Sequence, residues 1–213
     1  MTVATPVRPE PMVFINPLAG GPVVLATAVG EAEGTRGAAA ALACAGADLD
    51  RATLLVDFGG RPPRPTLIAS ASAQELEERL RSHLPEARVA ARGQLCHLVV
   101  PAEDDALGSA SAAIAVARGA LAVVHLPPRL LQPAVEAPDL RPSGVLLRAD
   151  LLDDRALVAL AARDLLWRGL TVGVLKRRLG WVAERRALFG VLPDGSPGGL
   201  PGRLVQRLVG GRR

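Results

Sequence analysis

The residues with the most chemical promise stand at the ends of three apolar runs. Asp57 closes 53–57 (TLLVD) just before a glycine pair, and His125 lies near the end of 121–126 (LAVVHL), ahead of Pro127 and Pro128. Arg36 follows the glycine-bearing stretch 27–37 (TAVGEAEGTRG), in which Gly30 and Gly34 flank Glu31 and Glu33. A glycine turn between a buried strand and a helix exposes backbone amides and the positive end of the helix dipole, an arrangement that holds phosphate. A carboxylate at a neighbouring strand end can hold a cation, and an imidazole there can carry a proton. Glu31 and Glu33 oppose the phosphate reading, because a like charge at ~4–6 Å from a polyphosphate costs on the order of 1–3 kcal/mol. They have a local use instead: acids near a helix N-terminus stabilise it by roughly 0.3–1 kcal/mol each. Glu33 stands where it would fill in cis the place of a phosphate.

Asp57 reads either as a turn cap or as a site residue, and His125 either as a structural histidine or as a lining of the same crevice. His83, His97 and His125 share no metal-ligand spacing with one another or with Cys44 and Cys96. Cys96 and His97 are adjacent, so on a strand they point to opposite faces and cannot share a metal; His97 reads as structural. The two cysteines, each flanked by apolar residues, read as buried free thiols of a reducing cytosol. Trp167 and Trp181 read as buried near a sheet edge or an interface.

The elements that must position these residues alternate along the chain. The β-branched run 23–29 (VVLATAV) fits a strand buried on both faces. The alanine-rich 36–46 predicts a helix ending at Gly46, and 53–57 the next strand, closed by FGGRPPRP. A helix over 73–83 has Ser72 as its N-cap and Glu75 three residues on, with Leu76, Leu80 and Leu84 on one face. Strand 95–100 precedes a small-residue helix over 104–117, and strand 121–126 is stopped by its prolines. Strand 144–147 leads to a helix over 153–168, whose apolar positions include Leu157, Leu160, Leu165 and Trp167. The last strand is 170–175, and 66–69 is a short strand or a helix lead-in. Glu103, Asp104 and Asp105, like Asp150, Asp153 and Asp154, read as helix N-terminal charge. This rhythm predicts an α/β fold: a three-layer, mostly parallel sheet flanked by helices on both faces, P-loop NTPase-like or Rossmann-like.

Composition narrows the function classes. Aromatic residues are 2% and tyrosine is absent, which removes the stacking platforms used on single-stranded nucleic acid. Net charge is +4, yet the body of the chain carries no clustered basic helix, so nucleic acid is not the expected partner. No window offers 18 uninterrupted apolar residues, and the N-terminus lacks the basic-then-apolar order of a signal peptide. The expectation is a cytoplasmic protein without a membrane span. Its organisation reads as a flexible 1–11, a single α/β domain over 12–191 and a basic, Gly/Pro-rich tail over 192–213. The turn at 14–21 (FINPLAGG) joins an edge segment to the first core strand.

Strand, glycine loop, alanine helix and LLVDFGG together resemble the deviant Walker A class of P-loop proteins, the partitioning and septum-site ATPases, chiefly over residues 22–60. In that family an apolar strand leads into K-G-G-x-G-K-[TS], and the second strand ends in an aspartate. On this resemblance Gly34 matches the glycine before the phosphate lysine, and Thr35 takes the place of that lysine. Arg36 takes the place of the magnesium-ligating hydroxyl, and Gly30 stands at the first, signature lysine. Asp57 keeps the family's aspartate, and His125 stands where another, metal-organising aspartate would be. The lysine and the magnesium ligands carry the charge of phosphoryl transfer. Their replacement implies a degenerate, non-catalytic relative for which ATP and magnesium binding are not expected. The family setting implies a protein partner in cell division, partitioning, or a pilus or secretion system, and an oligomer is compatible with it. Two alternatives stay open. One is a small-ligand or catalytic protein using Asp57, His125 and Arg36 in the strand-end crevice; the other is nucleic-acid binding through the Arg-rich C-terminus.

Overall fold

The computed structural model describes residues 21–30, 35–58, 69–101, 105–149 and 155–176. Several expectations lie outside the described residues: the segment 1–11, most of the 14–21 turn, Glu31, Glu33 and Gly34, and the 66–68 lead-in. So do Glu103, Asp104, Asp150, Asp153, Asp154, Trp181 and the tail.

Among the described residues thirteen elements follow in chain order: β1 (Val23–Ala28), α1 (Thr35–Asp48), β2 (Thr53–Phe58), α2 (Ala71–His83), β3 (Arg88–Arg92), β4 (Leu95–Val100) and α3 (Ala106–Val116), then β5 (Leu121–His125), a 3-10 turn (Pro128–Leu130), α4 (Leu131–Glu136), β6 (Gly144–Ala149), α5 (Arg155–Trp167) and β7 (Thr171–Lys176). The strands form one seven-stranded sheet in the order β3-β4-β2-β5-β1-β6-β7. Every pairing is parallel except β3 with β4. β1, β2 and β6 are buried at every position, which is why they read as continuous apolar runs rather than alternating ones.

Parallel strands in register present paired residues to the same face, so the sheet separates two cores. On one face Val24, Ala26, Leu55, Leu121, Val123 and Leu146 meet Ala38, Ala39, Leu42 and Ala43 of α1. Small side chains let this helix lie close, and Gly46 takes the approach furthest. A Cβ there would stand 2.5 Å from Leu121 Cδ2 and 3.0 Å from Thr53 Oγ1. Gly46 therefore packs inside α1 and does not end it, as a terminator reading of that glycine had it; the helix runs two residues further. On the opposite face α2, α3, α4 and α5 contribute Leu76, Leu80, Ala110, Ala113, Ala134 and Leu165 to a second core with Leu54, Val56, Leu98, Val124, Val145 and Leu147. The fold is thus the expected three-layer α/β arrangement.

Local details depart from the sequence reading in four places. The α2 cap is Ser70, not Ser72: Ser70 Oγ accepts the Ala73 N–H at 3.2 Å and donates to Gly93 O at 2.9 Å, tying the helix start to the β3–β4 hairpin. β3 itself is an added strand, whose tight turn uses Gly93 at φ 53°. Beyond His125 the prolines stop the strand, but Pro128 then opens the 3-10 turn and α4, in keeping with proline's preference for a first helical turn. The fourth departure is α5, which buries only Val158 and Leu165. Leu157, Leu160 and Trp167 are exposed, Trp167 by 84%, in place of the burial expected for the tryptophan.

Candidate functional site

The strand order decides what can meet. β5 lies between β1 and β2, so the carboxyl ends of β2 and β5 are neighbours, with Asp57 in register with His125. On the other side of β2, Asp57 is in register with Val99 of β4. His97, two residues earlier on β4, therefore points to the same face. That face is the one α1 covers. Arg36, the second residue of α1, is carried over it from the side of β1.

Four side chains converge as a result. Asp57 is 1% exposed. His125 Nδ1 lies 2.8 Å from Asp57 Oδ1; a carboxylate only accepts, so Nδ1–H is the donor. Arg36 Nε lies 3.0 Å from Oδ2 and 3.2 Å from Oδ1, a shared donation to both oxygens. His97 Nε2 stands 3.7 Å from Oδ2, beyond direct hydrogen-bond length but close enough for its polarity to act. Burial alone would push the Asp57 carboxyl up. The His125 hydrogen bond, His97 and the Arg36 charge together outweigh that and hold it well below the usual carboxylate range. Asp57 is an ionised carboxylate whose charge is answered from three sides by the chain itself.

The remaining candidate residues are placed differently. Gly30, at φ 65°, makes the turn out of β1, where Val29 N donates to Arg148 O at 2.7 Å. Thr35 is buried at the start of α1. Gly34 lies outside the described residues. Among the described residues no group of three or more His, Cys, Asp or Glu side chains is arranged to hold a metal ion.

Two site features escaped the sequence reading. His97 was assigned a structural role, but the β4–β2 pairing brings it to Asp57; only the order of the strands reveals this. Arg148 is 2% exposed, and among the described residues its Nε has no hydrogen-bond partner. It is in register with Ala28 and so sits on the α1 face at the carboxyl end of the sheet. A charged residue inside the run GVLLRA was the available signal, since a fully buried strand rarely carries one.

Arg36 at the start of α1 and Asp57 at the end of β2 thus meet in space, guanidinium against carboxylate. No protein-family model and no curated protein matches the sequence. Similar solved structures include a ParA family ATPase from Chlorobium tepidum TLS, at 13% identity and TM-score 0.47, covering 88% of this chain and 97% of that one. The MinD cell division protein of Aquifex aeolicus is similar at 17% identity and TM-score 0.48, covering 79% and 74%. A plasmid partition protein from Borrelia burgdorferi is similar at 11% identity and TM-score 0.48, covering 90% and 97%.

Proposed function

We propose that this chain is a non-catalytic, P-loop-ATPase-like module that acts by binding a protein partner and not by turning over nucleotide. The observation that carries this reading is the Arg36–Asp57 contact of 3.0 Å. A cation entering the pocket would have to displace a guanidinium from a carboxylate that already accepts from His125. Arginine cannot ligate a metal, and it stays charged at every working pH. With Thr35 in place of the phosphate lysine, the γ-phosphate also lacks its neutralising group. What remains is a rigid α/β body whose use is recognition. The sequence resemblance favours a partner of the ATPase class, in cell division, partitioning, or a pilus or secretion system.

The test is a titration of ATP, ADP and GTP, each with and without magnesium, read by melting temperature and tryptophan emission. No shift is expected at millimolar nucleotide. A rise of several degrees with any of them would overturn the reading.

One observation favours a second reading. A carboxylate that fixes the Nδ1–H of a histidine leaves Nε2 as a potential base, the pairing used in acyl-transfer sites. A small ligand or substrate in the strand-end crevice would then contact His125. His125→Ala loses stability under both readings, since the bond to Asp57 goes with it; only under this second reading does it also lose ligand binding or activity.

A further inference from the structure

One charge on the α1 side of the sheet is left unanswered. Arg148 lies in β6, a strand buried at every position, and its carbonyl accepts the Val29 N–H at 2.7 Å. Register with Ala28 sets it beside the exit of β1, two residues further along that strand than the row shared by Ala26, His125 and Asp57. Among the described residues its Nε has no hydrogen-bond partner and no carboxylate forms an ion pair with it. Asp57, on the same face, already accepts from Arg36 and His125. Arg36 and Asp57 cancel, so the Arg148 guanidinium is a full positive charge held out of water. Burying an unpaired charge is far costlier than burying a pair, and arginine does not relieve it by losing its proton. α1 adds to the same sign, because its first turn carries no acid and the amino end of a helix is positive.

We infer that Arg148 anchors a site for a compact oxyanion, a carboxylate or a phosphate, at the ends of β1 and β6 on the face that α1 covers. One negative charge balances the described cluster, which matches a carboxylate or a monoanionic phosphate. The planar guanidinium offers parallel N–H groups to two oxygens of either group, the geometry in which arginine holds such anions most firmly. Recognition comes from charge and from that fork. It uses neither a loop lysine nor magnesium, so the inference does not rest on the proposed function.

Melting curves of the full chain in Tris chloride, at constant ionic strength, test this with inorganic phosphate and acetate as the probes. The wild-type melting temperature is expected to rise saturably with at least one of them, by about 3–6 °C at ten times its dissociation constant. The tighter of the two tells a phosphoryl ligand from a carboxylate. Arg148→Met should abolish the rise, and should melt above wild type in chloride alone because the unanswered charge is gone. Arg148→Lys keeps the charge without the fork and should weaken binding tenfold or more. A rise of equal size in Arg148→Met overturns the inference, because the anion then acts as a general salt. A lower melting temperature for Arg148→Met in chloride overturns it too, since the counter-charge would then come from the chain itself. Calorimetric titration of the wild type is independent of every variant. One anion per chain is expected, and no saturable heat with either probe up to about 20 mM, a range that covers millimolar affinity, overturns the inference.

Discussion

Replacing Asp57 with asparagine separates a carboxylate that holds the fold together from one kept idle for a ligand. Asparagine preserves the shape and one acceptor oxygen but removes the charge. The contact with His125, whose side chain is 15% exposed, is a charge-assisted hydrogen bond in a mostly buried setting, worth about 1.5–3 kcal/mol. The Arg36 contact is weaker, since 46% of that side chain is exposed and solvent screens it to roughly 0.5–1 kcal/mol. Relief of the buried charge returns part of this sum. The net loss expected for Asp57→Asn is about 2 kcal/mol, or a fall of roughly 4–8 °C in melting temperature for a chain of this size. The pH dependence has a definite sign. The folded carboxyl is held below its ordinary value of 3.8, so its stabilisation is complete above that pH and fades as the pH falls through the lower, folded value. Wild type and variant should therefore differ by a constant amount near neutrality, and the gap should begin to narrow only as the pH falls below about 3.8 towards the lower, folded value. Thermal melts and urea midpoints between pH 2 and 8 measure both effects. An unchanged or raised melting temperature for Asp57→Asn would refute the reasoning, because it would mark the carboxylate as strained and waiting for a cation.

Other outcomes follow from the same physics. Arg148→Met should raise the melting temperature by about 3–8 °C, because an arginine buried without a partner at Nε is more costly than a hydrophobic side chain of similar length; calorimetry checks this, and a fall would show a compensating acid. The Cys96 thiol is pushed up to about 12 by burial and by the nearby Glu77 charge, and Cys44 is raised by burial and Asp48. Both should therefore react with a thiol reagent at pH 8 at least ten times more slowly in the native chain than in urea, Cys96 the slower of the two.

Much of the fold was legible because the buried strands announce themselves. VVLATA, TLLVDF and LAVVH are too apolar to be anything but interior, and the intervening alanine and leucine helices carry the right period. The candidate site was legible residue by residue at Asp57, Arg36 and His125, since each stands at a strand end or helix start. His97 was not, because its role comes from β4 lying next to β2, a long-range pairing that leaves no local trace. β3 was hidden by its polar ends, with Arg88 and Arg92 exposed. α4 was hidden behind prolines that end one element and begin another. Gly46 misled because a glycine late in a helical run commonly marks its end, whereas here the missing Cβ makes room for Leu121 and Thr53.

The placement of β5 has a consequence for how the molecule is made. β1 and β2 are joined by α1 yet are not neighbours; the strand between them is encoded more than sixty residues after β2. A nascent chain that has emerged only as far as β2 has no sheet to close: β2 can pair with β4 once 95–100 is out, but β1 finds its first neighbour only when 121–125 leaves the ribosome. Such a high contact order slows folding and prolongs exposure of aggregation-prone segments. His125 arrives with that late strand, so of the four side chains that meet at Asp57 it is the last to be synthesised.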